Sequence, residues 1–388
     1  MLWKKKFSGA ITPIAKNELL SACGLVGVFY FKIYSSLNHC RKGTVIFNGI
    51  RDDGSSYTSF NFNDRECSEI VLPNINGCNR RKGRDMHLLH RWWLYVNETF
   101  LPFSRTALCT LLYAGNMFLY QALIDRHPLI LTPDMLPGVT TLVLMFLYYR
   151  IQDEFKDQVT DRRFFPHRPV PSGRVSLQDL RGLMWISIAL MVAVNIFWGA
   201  ARGMFFVFFG FSVLMHYWFF MEKILSRNRL LALATHAPFG FFADLFVVAI
   251  YTNRCNMPLL STGSMLTALW FSLGGFYWDI GRKTRAPQEE VHGYQTYSSI
   301  IGYRSASALA LAFIGVQGLL LAWLPVSVLY ISFFFACSTA CAACFLRFVM
   351  KPERGSRHLQ TAVELFGAGI IIGILIDLAV SRGVQWTN

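Results

Sequence analysis

The sequence predicts an all-α, polytopic membrane protein, and three observations lead to that prediction. Hydrophobic residues make up 53% of the 388 residues, charged residues make up only 15%, and the mean hydropathy is +0.36. Soluble domains average about 25% charged residues. Several apolar runs reach the ~20 residues that a helix needs to cross about 30 Å of hydrocarbon. Basic residues are concentrated in every second connection between these runs, as expected of a chain that crosses a membrane repeatedly.

Nine segments are candidates for transmembrane helices. Each is predominantly apolar, and polar residues, Gly or Pro separate it from the next. The predicted cores are 104–124, 137–156, 179–199, 203–222, 230–251, 261–282, 304–323, 325–347 and 359–380. With nine crossings, successive connections lie on alternate sides of the membrane.

The distribution of basic residues predicts the orientation. Seventeen Lys and Arg residues lie in the connections 156–181, 223–229, 282–304 and 347–357, whereas the opposite connections and the C-terminal end hold four. The positive-inside rule places the richer side in the cytosol. This bias also accounts for the net charge of +14. Nucleic-acid binding is not indicated, because no basic module with interleaved aromatic residues stands apart from the apolar runs. We expect a multi-pass membrane protein, in the endoplasmic reticulum if the source is eukaryotic.

The N-terminal region, residues 1–90, differs from the rest of the chain. Three lysines at 4–6 precede a short apolar stretch at 19–33, and residues 35–90 are polar without apolar periodicity. Such a composition predicts a poorly ordered extension with one weak apolar segment. The transmembrane domain is therefore expected to comprise residues 91–388.

A cluster of carboxylates lies at the end of the second predicted span, at Asp153-Glu154-x-x-Asp157-x-x-x-Asp161. If helix continues through it, Glu154, Asp157 and Asp161 share one side, and Asp153 stands one turn before Asp157. These carboxylates repel one another and the partial negative charge of a helix C-terminus. A cation should balance them, and oxygen-rich clusters of this kind suit Mg²⁺. A solvated, mixed-charge loop is the alternative interpretation.

The sixth predicted span ends in a second charged cluster. It contains Asp279, Arg282, Lys283, Glu289 and Glu290. Because connections alternate between sides, it lies on the same side of the membrane as the first cluster. Arg162 and Arg168 follow the first cluster, and arginines can hold a phosphate by paired hydrogen bonds. Two charged clusters at the mouths of two spans predict a divided active site.

These motifs resemble those of the UbiA superfamily of membrane prenyltransferases and related enzymes. In that family an Asn-Asp-x-x-Asp-x-x-x-Asp motif follows the second of nine helices, and another Asp-rich motif follows the sixth. Here Asp153 replaces the Asn and Glu154 replaces the first Asp, while Arg-Pro-Val-Pro-Ser-Gly at 168–173 is similar to the family's Arg-Pro-Leu-Pro-Ser-Gly. The second motif departs further, because Asp279 is its only Asp. The resemblance covers about residues 100–385.

The resemblance implies a nine-helix bundle whose central cavity opens to the cytosolic side. It also implies a lipid bilayer as surroundings, Mg²⁺ as cofactor and an isoprenoid diphosphate as substrate; no protein partner is evident. The implied metal ligands are Glu154, Asp157, Asp161 and Asp279, with Asp153, Glu289 and Glu290 as possible further ligands. The implied diphosphate-binding residues are Arg162, Arg168, Arg282 and Lys283. The altered motifs leave the number of metal ions open.

The fate of an allylic cation formed in such a site is the remaining question. Aromatic faces stabilise cations by ~2 kcal/mol each when desolvated, and Tyr277 and Trp278, next to Asp279, are the candidate cavity aromatics. The altered motifs, the aromatic content and the N-terminal extension resemble the fungal membrane-bound terpene cyclases of this superfamily. That resemblance implies cyclisation of farnesyl diphosphate to a sesquiterpene in secondary metabolism. Prenyl transfer to an aromatic acceptor is the alternative, and a non-catalytic carrier of isoprenoid lipids is a third interpretation.

Overall fold

The computed structural model describes residues 87–387. The predicted N-terminal extension therefore lies outside the described residues, apart from its last four. Helix α1 (Leu88–Tyr95) begins within those four, and one π-helical turn, Val96–Phe100, continues it. Leu101, whose φ is 56°, separates this segment from the first long helix.

Long helices overlap each of the segments in which the sequence predicts a span. In chain order the helices are α2 (Pro102–Leu123), α3 (Met135–Lys156), the short α4 (Gln158–Phe164), α5 (Leu177–Phe197), α6 (Arg202–His216), the short α7 (Glu222–Leu225), α8 (Arg229–His236), α9 (Pro238–Arg254), α10 (Thr262–Arg282), the short α11 (Tyr297–Ile301), α12 (Tyr303–Leu320), α13 (Val328–Met350) and α14 (Arg357–Arg382). Short 3₁₀ turns occur at Trp218–Phe220, Pro287–Glu289, Leu321–Trp323 and Pro352–Arg354. Two three-residue strands, β1 (Leu129–Leu131) and β2 (Val384–Trp386), pair in parallel.

Two helices depart from the predicted segments for identifiable backbone reasons. Helix α6 ends at His216, six residues before its predicted core does. The next residues include Trp218, Phe219 and Phe220, whose φ angles of 51°, 50° and 60° interrupt a right-handed helix. The fifth predicted span is divided into α8 and α9, with Pro238 at the start of α9. Proline lacks the N–H that the preceding turn would need, so it divides or kinks a helix.

Five helical segments among residues 87–387 are long and apolar enough to cross a membrane. They are Leu177–Phe197, Arg229–Arg254, Tyr303–Trp323, Val328–Met350 and Arg357–Arg382. In Leu177–Phe197 and Val328–Met350, only 22% of the apolar 18-residue stretch is buried within the protein. Apolar surface of this extent indicates contact with lipid. The chain is therefore a helical integral membrane protein, as the sequence predicts, while nine crossings stay a prediction.

Helices α2, α3 and α10 are less apolar than these five segments, because they carry polar residues that are buried inside the bundle. Asn116 of α2, Gln152 of α3 and Thr267 of α10 are each fully buried. Helix α2 joins two hydrophobic clusters: Leu119 packs with the cluster formed by α10 and α12 to α14, and Met117 packs with the cluster formed by α3, α6 and α9. Helix α2 thus lies at the centre of the bundle, and α3 and α10, which pack against it, carry the charged clusters at their C-terminal ends.

Candidate functional site

The first acidic cluster divides between two helices. Helix α3 ends at Lys156, and Asp157 (φ −97°, ψ 16°) separates it from α4, so the helix is interrupted within the motif. Glu154 is buried, and its Oε1 accepts a hydrogen bond of 2.6 Å from Nη2 of Arg150. Nη1 of Arg150 also lies 3.9 Å from Oδ2 of Asp153. One partly buried arginine side chain thus balances the part of the cluster that lies within α3.

The part of the cluster beyond α3 contains one paired and one free carboxylate. Both oxygens of Asp161 accept hydrogen bonds from Nη1 of Arg168, at 3.1 and 3.0 Å. The Arg168 guanidinium in turn lies 3.9 Å from the centroid of the Phe165 ring. The side chain of Asp157 is exposed and forms no hydrogen bond or ion pair within residues 87–387. Asp157 is therefore the carboxylate best placed to receive a ligand.

The surroundings of Asp157 make its ionisation unfavourable. Although Asp157 keeps contact with solvent, desolvation by the surrounding protein, together with the nearby carboxylates of Asp153 and Asp161, raises its pKa to about 6. The positive charges of Arg229 and Lys283 act in the opposite direction. A carboxyl group in this condition favours a cation that can neutralise it.

The second cluster is centred on Asp279, at the C-terminal end of α10. Its Oδ1 accepts from Nε and Nη2 of Arg282, at 3.1 and 2.7 Å, and lies 2.8 Å from Nζ of Lys283. Its Oδ2 accepts from Nζ of Lys283 at 3.0 Å and from the buried Tyr297 hydroxyl at 2.6 Å. Burial lowers the pKa of Lys283 to about 8, although the charge of Asp279 opposes that change. Asp279 thus holds two cations in fixed positions.

Glu289 and Glu290 take part in the loop that follows α10. Oε2 of Glu289 accepts from the backbone N–H groups of Ala286, at 3.0 Å, and Ser356, at 2.9 Å. The carboxylate of Glu290 accepts from the Thr296 hydroxyl at 2.7 and 2.8 Å. Both carboxylates therefore fasten this loop, and a role for either as a metal ligand stays a prediction.

The two clusters come together although more than 100 residues separate them in the sequence. The ring of Tyr294, in the loop after the second cluster, makes edge contacts with Phe164 and Phe165, after the first cluster, at 5.3 and 5.7 Å between centroids. In the same loop Gly293 has a φ of +84°, and a β-carbon there would lie 3.2 Å from Nη1 of Arg163. Glycine is favoured at this position because other residues rarely adopt that backbone conformation. The chain following each cluster thus packs against the chain following the other.

The electrostatic contacts agree with this packing. The charge of Lys283, which is bonded to Asp279, acts on Asp157 of the first cluster. The Tyr149 hydroxyl lies within electrostatic range of Asp153, Asp157 and Asp279. The C-terminal ends of α3 and α10 therefore lie at the same end of the bundle, within electrostatic range of each other.

Three residues of this site are absent from the sequence prediction. Arg229, the first residue of α8, is within electrostatic range of Asp157 and Lys283, and its buried Nε has no hydrogen-bond partner in the described chain. Arg105, near the start of α2, is in range of Arg150 and Arg282. Tyr149 stacks on Phe239, with 4.9 Å between ring centroids. None belongs to a motif, and their only sequence signal is their position near the ends of predicted spans.

The two predicted cavity aromatics have different environments. Tyr277 is buried in the core, where its ring makes an edge contact with Phe366 at 5.3 Å between centroids. Trp278 is partly buried, and the Arg282 guanidinium lies 4.4 Å from the centre of its ring. Trp278 therefore helps to orient a predicted diphosphate-binding residue, whereas Tyr277 contributes to packing between α10 and α14.

The donor set fits a metal ion only if a ligand supplies oxygens as well. Among residues 87–387, no three or more His, Cys, Asp or Glu side chains are grouped closely enough to hold a metal ion. Glu154, Asp161 and Asp279 already accept hydrogen bonds from cations. Mg²⁺, however, usually binds through one or two carboxylates plus water and substrate phosphates. The free Asp157 and the weakly paired Asp153 satisfy that smaller requirement.

Comparisons with known proteins give structural similarities only. No family model matches the sequence, and no curated protein matches it. A structure of digeranylgeranylglyceryl phosphate synthase aligns with a TM-score of 0.49 and 14% identity, covering 74% of this chain and 99% of the other. The apo structure of a UbiA homologue from Aeropyrum pernix K1 aligns with a TM-score of 0.47 and 15% identity, covering 70% and 97%. At these values the comparisons describe a general resemblance and assign neither a family nor an activity.

Proposed function

We propose that this chain is a UbiA-type membrane enzyme that ionises farnesyl diphosphate and cyclises the resulting cation to a sesquiterpene. The observation that carries the proposal is the meeting of two charged segments from distant parts of the sequence. The free carboxylate of Asp157 lies within range of Lys283, which is itself bonded to Asp279. A free carboxylate among several cations suits a diphosphate that arrives with a divalent metal ion.

Ionisation breaks the bond between the allylic carbon and the diphosphate oxygen, and both electrons leave with the diphosphate. Arg168, Arg282 and Lys283 would donate hydrogen bonds to the leaving group. Arg162 and Arg229, which have no hydrogen-bond or ion-pair partner within residues 87–387, would add two guanidinium groups. Donors fixed in place before the reaction stabilise charge as it develops.

Mg²⁺ is the proposed cofactor. Asp157 and Asp153 would hold it together with phosphate oxygens, and Glu154, Asp161 and Asp279 could contribute the oxygen lone pairs that their cation partners leave free. Bound there, Mg²⁺ would neutralise charge on the leaving diphosphate. The five cationic residues named above would then act on a head group whose charge is already reduced.

The cyclase proposal requires the cation to be attacked by a double bond of its own prenyl chain. Attack forms a carbon–carbon bond, and loss of a proton from the final cation gives the hydrocarbon. Tyr149 and Phe239, stacked beside the two clusters, offer aromatic faces near the point of ionisation. The bundle's predicted cavity would keep water from the cation.

One observation favours the alternative, transfer of the prenyl group to an aromatic acceptor. The side chain of Arg105 forms no hydrogen bond or ion pair in the described part of the chain, yet it lies in range of Arg150 and Arg282. An unpaired guanidinium there would orient an acidic acceptor beside the cation.

The proposed site opens to the cytosol. The positive-inside rule supports this orientation, because both acidic clusters lie on the side whose four connections are rich in lysine and arginine. In a eukaryotic cell the endoplasmic reticulum is the expected membrane.

The test is to incubate membranes containing the chain with farnesyl diphosphate and Mg²⁺ and to measure pyrophosphate and volatile products. A hydrocarbon formed without an added acceptor supports the cyclase. Product that appears only when an aromatic acceptor is added supports the transferase. No pyrophosphate release under either condition would leave the carrier interpretation and refute both enzymes.

A further inference from the structure

Helix α1 is fastened to the start of α5. Nε and Nη2 of Arg91 donate to Oδ2 and Oδ1 of Asp179, both at 2.9 Å. Nε1 of Trp92 donates to the backbone oxygen of Asp179 at 2.8 Å. Asp179 also caps α5 through reciprocal hydrogen bonds with Ser176. The segment before the first long helix is therefore held against the chain that follows the first acidic cluster.

A second attachment joins this segment to the loop between α4 and α5. Nη1 and Nη2 of Arg174 donate to Oε1 and Oε2 of Glu98, at 2.7 and 2.8 Å. The same guanidinium donates to the backbone oxygen of His167 at 2.9 Å and to Oγ of Ser172 at 3.1 Å. Arg174 thus closes the loop 167–174 on itself while Glu98 holds the guanidinium from outside.

The carbonyl group of His167 belongs to the peptide bond that precedes Arg168. Arg168 holds Asp161 and lies over the Phe165 ring. A continuous series of contacts therefore leads from Glu98 through Arg174 and the His167 carbonyl to Arg168. We propose that Glu98 and Arg174 are positioning residues that orient Arg168 in the diphosphate site. This inference rests on the proposed function, because it takes Arg168 to contact the diphosphate.

The geometry indicates orientation rather than stability as the main effect of this pair. The side chains of Glu98 and Arg174 are 40% and 31% exposed, and exposed ion pairs contribute little to folding. A bidentate arginine–carboxylate pair nevertheless fixes the plane and direction of the guanidinium. Loss of Glu98 would leave Arg174 bonded only to its own loop, so the loop could tilt relative to α1.

The test uses the purified full-length chain in detergent, with inorganic pyrophosphate and Mg²⁺ as the probe. Glu98→Gln should weaken pyrophosphate binding about two- to fivefold, the loss expected from one exposed charge-assisted pair. Arg174→Gln should weaken it further, because the bond to His167 is also lost. Glu98→Gln should add nothing in the Arg174→Gln background, and Glu98→Asp should restore part of the affinity. Asp134→Asn, which breaks the ion pair with Arg254 at the opposite end of α3, is the matched control and should bind as the wild type does.

Hydrogen exchange gives a second readout that does not require the diphosphate assignment. The amides of Ser172 and Gly173 donate to carbonyls of their own loop, each at 3.0 Å, and should exchange faster in Glu98→Gln than in the wild type. Equal exchange, or losses of affinity that add in the double variant, would overturn the positioning role. If exchange is faster in Glu98→Gln but the wild type binds no pyrophosphate, the proposed function is refuted. The role of the pair in diphosphate binding is then refuted with it.

Discussion

The ammonium group of Lys283 lies 2.8 Å from Oδ1 of Asp279. The hydroxyl of Tyr297 lies 2.6 Å from the other oxygen of that carboxylate, whereas Asp157, on which Lys283 also acts, has no bonded partner among the described residues. The site therefore combines a fully engaged carboxylate with a free one. These two conditions lead to different predictions for the two residues.

Replacing Asp157 by Asn should reduce pyrophosphate release from farnesyl diphosphate by at least about 100-fold, the scale seen when one electrostatic stabiliser is removed. The reason is that the change removes the free carboxylate of the proposed metal site without breaking a contact. Release of pyrophosphate over time, in membranes with equal amounts of protein, measures the effect. Asp125→Asn is the matched control, because Asp125 is an exposed aspartate of the α2–β1 connection. Equal activity in wild type and Asp157→Asn would contradict the assignment.

The pH dependence of kcat/KM should be bell-shaped. Asp157 must be ionised to bind a metal ion, and its raised pKa predicts a loss of activity as the pH falls through about 6. Lys283 must be protonated to hold the diphosphate, and its lowered pKa predicts a loss as the pH rises through about 8. kcat/KM reports the ionisations of the free enzyme, so a pH series at low substrate concentration is the measurement. A flat profile between pH 5 and pH 9 would exclude both groups.

The same pKa shift predicts a change in stability. Because the pKa of Asp157 is higher in the folded protein than the ordinary value of 3.8, folding favours the protonated form. Ionisation therefore costs stability progressively between about pH 4 and pH 6, and the full cost is present above pH 6. Asp157→Asn should raise the Tm more at pH 7.5 than at pH 4.5, in metal-free buffer. An equal effect at both pH values would show that Asp157 is not perturbed.

Replacing Tyr297 by Phe should destabilise the protein by about 1–2 kcal/mol, because the partly buried carboxylate of Asp279 loses its shortest hydrogen bond. Thermal unfolding in detergent is the measurement. Tyr303→Phe is the control, since the Tyr303 hydroxyl contacts only the side chain of Arg304 at an exposed position. A Tm loss no larger than that of Tyr303→Phe would mean that the hydrogen bond to Asp279 contributes nothing.

Replacing Arg229 by Gln should raise the KM for the prenyl diphosphate with little change in Tm. The guanidinium has no partner to lose among residues 87–387, so its removal affects the ligand and not the fold. Arg227→Gln, an exposed residue of the same connection, should leave both values unchanged. If the two variants behave alike, Arg229 is outside the site.

The positions of the helices could be predicted because apolar runs of about 20 residues are bounded by polar connections. The end of α6 could not be predicted, because the apolar pattern continues through Trp218, Phe219 and Phe220. Nothing in their side chains signals positive φ angles. The break at Pro238 has a local signal, since proline cannot continue the hydrogen-bond pattern of the preceding turn. Polar residues of α2, such as Asn116, are buried by neighbours that are distant in sequence.

The site was predictable where a short motif encodes it. Asp153, Asp157 and Asp161 lie at the end of one predicted span, and Asp279 lies at the end of another on the same side. Arg229 and Arg105 belong to no motif and enter the site only through helix packing. The loop role of Glu289 also depends on a distant residue, because its carboxylate accepts from the N–H of Ser356.

The most direct test of the shared site is calorimetric titration of the purified chain with inorganic pyrophosphate in the presence of Mg²⁺. We predict one Mg²⁺-dependent pyrophosphate per chain, with binding lost in both Asp157→Asn and Asp279→Asn and retained in Asp125→Asn. Two independent sites, or unchanged affinity in either of the first two variants, would contradict the conclusion that the ends of α3 and α10 hold one head group.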